Sequence, residues 1–187
     1  MANTFGITCP TSCTTEYVGA IETVDCLYAP QNAEINHVYL LGSAAGPADW
    51  TVPANWTGLV DNTTADTTIK DLRGIGDVGE HEVLVTYTMA DGNEIDGEKE
   101  WTLTLDINNV GDTLYDELRE LQCGKKKPNF WYTTRGGFMF GQQDGIEAAK
   151  YTVQFPKDRG DDSAERAIVI ISWKGSVDPQ RIADPFA

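Results

Sequence analysis

The residues best suited to chemistry lie at 91–98, AspGlyAsnGluIleAspGlyGlu, where Asp91, Asn93, Glu94 and Asp96 bring four oxygen-bearing side chains into one short loop. Such a loop is what a calcium ion needs. Here Ile95 stands where an oxygen is required, and the glycine sits at the wrong place for an EF-hand turn. Two Asp/Gly signals fit the tip of a β-hairpin better. Gly74, Gly76 and Gly79 form a Gly-x-Gly-x-x-Gly string, but a β-rich run follows it where a dinucleotide site needs a helix. Cys9 and Cys13 lack the spacing of common zinc knuckles, and His37 and His81 lie far from them in sequence. Cys9, Cys13, Cys26 and Cys123 therefore read either as reduced, partly buried thiols or as a structural zinc set, with the thiols favoured.

The remaining motifs are bland. Lys125, Lys126 and Lys127 could touch phosphates, although a solvated helix end or contacts to an acidic neighbour explain them better. The Arg159–Gly160–Asp161 triplet reads as a solvated turn. Asn55 and Asn62 open glycosylation sequons that matter only in a secreted chain. The N-terminus has no basic or apolar region of a signal peptide, and no run of about 18 apolar residues offers a membrane span. No nucleophile elbow or paired-histidine motif surrounds any serine, histidine or aspartate, so an enzyme, a metal and a cofactor are not expected. Trp50, Trp56 and the aromatic runs PheTrpTyr (130–132) and PheMetPhe (138–140) could stack on sugars. They fit core and subunit interface better.

Composition frames these choices. The chain has 187 residues, 41% hydrophobic, enough for a single well-buried domain. Its formal charge is −15, with 29 acids against 14 bases, opposite to what a phosphate-gripping protein carries.

The elements that must position these residues are mostly strands: 16–28, 34–41, a short one at 67–72, 81–89, 99–107, 129–134, 137–141, 146–156 and 166–173. Residues 74–80 read as punctuation and 42–66 as a long loop. Residues 99–107 alternate strictly, with Trp101, Leu103, Leu105 and Ile107 on one face, which predicts a half-buried strand in a hairpin with 81–89. One helix is predicted at about 113–123, capped by Asp112 or Thr113 with a Thr113-x-x-Asp116 capping box and an apolar stripe of Leu114, Leu118 and Leu121. Gly124 and Pro128 end it. The fold class is mainly β, an antiparallel β-sandwich or barrel with one short flanking helix. It forms a single domain over 1–187 with an extended arm (1–15) and a tail (176–187).

This order of strands, hairpin, one short capped helix and closing strands resembles the tail tube proteins of tailed bacteriophages and contractile injection systems. The hairpin strands 81–89 and 99–107, the helix at 112–121, CysGlyLysLysLys (123–127) and IleValIleIleSerTrpLysGly (168–175) carry the likeness, which covers roughly the second half of the chain. The resemblance implies copies that join into hexameric rings and stack into a tube with an acidic lumen for DNA passage. The partners would be itself and other virion tail proteins, with genomic DNA transiting unbound, in the virion tail after synthesis in the host bacterial cytoplasm. The arm, the loop 42–66, the hairpin tip and the tail would then order against neighbouring subunits. This makes Asp91, Asn93, Glu94, Asp96, Lys125, Lys126, Lys127, Trp50 and Trp56 the expected interface residues. Two alternatives remain: another neck, ring or capsid-accessory protein, and a monomeric carbohydrate-binding β-sandwich using Trp50, Trp56 and the aromatic strands.

Overall fold

The computed structural model describes residues 33–42, 46–60, 69–123, 127–157 and 165–186. The predicted arm 1–15, the strand 16–28, the three early cysteines, Lys125, Lys126 and the Arg159 triplet lie outside these. The described elements are strands β1 (Ile35–Leu41), β2 (Ile69–Val78), β3 (Glu82–Val83), β4 (Thr86–Thr88), β5 (Glu94–Asp96), β6 (Lys99–Asn108), β7 (Phe130–Thr134), β8 (Phe138–Gly141), β9 (Ala148–Gln154), β10 (Arg166–Gly175) and β11 (Gln180–Ala183), with helix α1 (Asp112–Gln122) between β6 and β7.

The main sheet is antiparallel, in the order β11-β8-β7-β1-β2-β6-β10-β9, with β3 paired to β6. It curls back on itself. Phe130 and Ile146 exchange both backbone hydrogen bonds, at 3.0 and 2.7 Å, which brings the start of the β9 run against β7. Among the described residues the architecture is mainly β with one short α-helix, as the sequence predicts, and a 3-10 turn at Pro53–Trp56. No helix among the described residues is long and apolar enough to cross a membrane.

The strict alternation of β6 sets the core. Trp101, Leu103, Leu105 and Ile107 face inward and meet Ala167, Val169, Ile171 and Trp173 of β10, to which β6 pairs along its whole length. A period of two turns every second side chain to one side, so two such strands side by side give a continuous apolar wall. Leu118 and Leu121 of α1 are buried in the same cluster, and Leu114 packs at its margin. The predicted stripe thus does what a three-turn helix requires for stability.

Three expectations change. The partner of β6 is not a strand over 81–89. Only β3 pairs with it, at Glu82–Glu100 and Val83–Lys99, while β4 and β5 form a separate two-stranded sheet. The cause is local: the amides of Leu84 and Val85 both donate to the Glu98 carbonyl, at 2.8 and 3.3 Å, which makes a bulge that turns the ribbon off the sheet. Second, Gly74 and Gly76 are not punctuation. They lie inside β2, where a Cβ would run into the Asp106 and Thr104 carbonyls of β6, so glycine permits the close crossing. Third, the predicted tail contains β11, which pairs with β8.

The helix start also differs. Its N-cap is Gly111, with no side-chain cap, rather than Asp112 or Thr113. The amides of Asn109 and Val110 donate to the Glu165 carbonyl, at 2.8 and 3.3 Å, and fix the approach upstream of the predicted box. Gly111 has φ −79°, and a Cβ there meets nothing. Gly111→Asp should therefore add a cap and raise stability by about 0.5 kcal/mol in urea unfolding.

Three buried tyrosines give the fold a pH signature. Burial pushes up the phenols of Tyr39, Tyr132 and Tyr151, with help from the Asp71 charge at Tyr39 and the Asp178 charge at Tyr132. The folded state thus holds the neutral form. The stability it contributes is full below the unfolded value near pH 10 and falls as pH rises above it. The slope is about 1.4 kcal/mol per pH unit for each tyrosine. Unfolding midpoints measured between pH 9 and 12 should drop steeply above pH 10, and Tyr151→Phe should flatten the drop.

Candidate functional site

Among the described residues the two-stranded sheet β4–β5 pairs with no other strand. Every residue from 79 to 96 is exposed. Tyr87 faces Ile95 across the ribbon, and Thr86 and Thr88 face Asp96 and Glu94. Alternation therefore divides it into an apolar face of Val85, Tyr87, Met89 and Ile95 and a polar face of threonines and acids. Tyr87 is 59% exposed, and Met89 and Ile95 are each 50% exposed. A two-stranded ribbon is marginal on its own, and exposed apolar side chains gathered on one face are the usual mark of a surface that meets a partner.

The tip is a tight turn and not an ion cradle. Met89 N–H donates to the Asn93 carbonyl at 2.7 Å, and Gly92 occupies the left-handed region at φ 84°. Asp91 accepts from the Asn93 amide at 3.0 Å and from its side-chain nitrogen at 2.8 Å, and these bonds hold its carboxyl below the usual range. Asp96 lies 3.6 Å from Lys99. The oxygens of Asp91, Asn93, Glu94 and Asp96 are thus presented along an exposed ribbon. Among the described residues no group of three or more His, Cys, Asp or Glu converges for a metal. Gly97 closes the ribbon's base, where a Cβ would strike the Tyr87 ring.

Trp50 and Trp56 are placed differently from the expectation. They are 3% and 1% exposed and form a second core with Tyr39, Ile69, Trp131 and Met139 on the outer face of the sheet. Trp56 donates from Nε1 to the Trp50 carbonyl at 2.9 Å and meets Trp131 edge to face at 5.2 Å. Gln143 pins this segment by donating to the Pro47 and Ala48 carbonyls at 2.7 and 3.1 Å. Residues 46–60 are therefore ordered against their own sheet, not a neighbour. Neither ring offers the open face a sugar platform needs. Of the basic triplet, Lys127 is described, and its Nζ donates to the Ala149 carbonyl at 2.9 Å.

A polar cleft of about 500 Å³ on the outer face was not visible in the sequence. In it Asp71, whose side chain is 3% exposed, accepts from His37 at 2.8 Å and from Arg73 Nε at 2.7 Å. Arg135 lies at its rim, 2.7 Å from Glu34. Nothing in the spacing of residues 34 positions apart signals this pair. Only the β1–β2 register, with His37 opposite Arg73 and Tyr39 opposite Asp71, brings it together. No serine, cysteine or lysine lines the cleft among the described residues. The carboxylates of Asp71, Asp184 and Glu34 offset the two arginines. The cluster fastens β1 to β2, and its carboxylates leave no surplus of positive charge to draw an anion.

The fold and surface define a curled antiparallel β-domain that carries an uncovered amphipathic ribbon. No family model matches the chain, and no curated protein matches it.

Proposed function

We propose that this protein is a self-assembling structural subunit of a virion tail, a tail tube protein whose copies join into rings that stack around passing DNA. One observation carries the reading: the amphipathic ribbon with Tyr87, Met89 and Ile95 exposed. A subunit that works alone has no reason to hold such a face in water, whereas a second copy can bury it. The charge of −15 fits the same reading. A wall of like charge repels phosphate, so DNA slides without being gripped. Asp91, Glu94 and Asp96 then act at the contact between copies, on the ribbon's tip and polar face. In this reading the protein turns over no substrate and needs no cofactor. Its partners are itself and other tail proteins, and it ends in the virion after synthesis in the bacterial cytoplasm.

Negative-stain electron microscopy with light scattering tests this. Rings or tubes of sixfold symmetry are expected. Rings that never stack would move the protein to a neck or capsid-accessory role, and a monodisperse monomer at every concentration would sink the reading.

A further inference from the structure

The curled sheet ends in two strands, β9 on one side and β11 on the other. A free edge presents unpaired backbone groups to any passing strand. The two edges are treated differently. At the β11 end, Asp184 N–H donates to the Gly137 carbonyl at 2.9 Å. By alternation this turns Gln180 and Ile182 toward β8 and Arg181 and Ala183 outward. Among the described residues no hydrogen bond occupies those outward amides, and none of those residues covers this edge.

The β9 edge is covered. Gln122, the last residue of α1, donates from Nε2 to the Val153 carbonyl at 3.1 Å. Lys127 donates from Nζ to the carbonyl of Ala149 at 2.9 Å. Ala149 falls between the paired residues Ala148 and Lys150, where the register with β10 shifts, and is the unpaired residue of a bulge. Between them, the Tyr151 hydroxyl donates to the Pro128 carbonyl at 2.6 Å. Two side-chain donors thus stand on β9 carbonyls that a neighbouring strand's amides would otherwise take.

We propose that Gln122 and Lys127 hold the β9 edge shut in the isolated subunit, and that the strand they exclude is β11 of a second copy. This rests on the self-assembly reading above and adds the contact that restrains it. Joining β11 of one copy to β9 of the next is heterologous, the kind of contact that propagates into rings or filaments. A lysine hydrogen bond at the surface is weak against a ladder of backbone bonds, so a well-aligned partner displaces it. The block therefore raises the concentration at which copies associate without forbidding association.

The test is sedimentation velocity over a concentration series on the full chain. Gln122→Ala with Lys127→Ala should associate at a concentration at least roughly tenfold below the wild type. Adding Arg181→Pro, which removes an outward amide of β11 and the guanidinium's contact with the Phe138 ring but leaves the backbone bonds to β8, should cancel that gain. Thermal melts check folding, and Gln122→Met with Lys127→Met is the second pair should the alanines unfold the chain. The proposal fails if the paired variant associates at the wild-type threshold, if both stay monomeric throughout, or if Arg181→Pro changes nothing. Arg181-dependent association in the variant, with no rings from the wild type, would sink the tail-tube reading and leave this one standing. Rings from both at equal concentration would do the reverse.

Discussion

Replacing Tyr87, Met89 and Ile95 with serine should give a subunit that folds as the wild type does and no longer assembles. The three side chains are at least half exposed, and among the described residues their ribbon pairs with no other strand. Removing them therefore costs the folded subunit within about 0.5 kcal/mol each. In an assembly the same side chains go from half-exposed to buried. Fully burying one large apolar side chain is worth roughly 1.5–3 kcal/mol, so the remaining half is worth about 1 kcal/mol each. Together they supply about 3 kcal/mol per contact, which is more than a hundredfold in association. Light scattering reads the assembly and thermal unfolding reads the fold. A triple variant that assembles at the wild-type concentration would remove the ribbon from the interface.

Trp56→Ala should do the opposite. Trp56 is 1% exposed, crosses Trp131 edge to face and bonds the Trp50 carbonyl. Truncating a buried tryptophan costs about 3–5 kcal/mol, because the transfer energy is lost and a cavity remains. For a chain of this length that is a fall in Tm of roughly 10 °C. Urea unfolding measures the loss directly. Had Trp56 been an interface residue, the subunit alone would keep its stability, so an unchanged midpoint would return it to the surface. The two variants separate the aromatic residues that hold the subunit from those that face its neighbours.

That division is the point at which the sequence is least informative. Tyr87 and Trp56 are both large aromatic residues; the sequence puts Tyr87 in a strand paired to 99–107 and Trp56 at an interface, and the structure exposes the first and buries the second. Trp56 is buried because residues 46–60 fold over the outer face of β1, β2 and β7, a long-range event that no local period encodes. Tyr87 is exposed because the bulge at Leu84–Val85 turns the ribbon away from the sheet its alternation would otherwise join. In the same way, Gly74 and Gly76 look like breakers until β6 is seen to lie too close for any side chain.

By itself the sequence determined what depends on near neighbours. The alternation from Trp101 to Ile107 fixes a half-buried strand, the stripe Leu114–Leu118–Leu121 fixes a helix that must pack, and the charge of −15 sets how the surface meets phosphate. These follow from the periods of strand and helix and from counting charges. The tertiary structure alone decided what depends on register and closure. It set β2 and not 81–89 along β6, and placed His37 and Arg73 on Asp71. It also laid Gln122 and Lys127 on the carbonyls of β9. The reason is physical: a side chain's period is local, but the strand it meets is chosen by the free energy of the whole sheet closing at once.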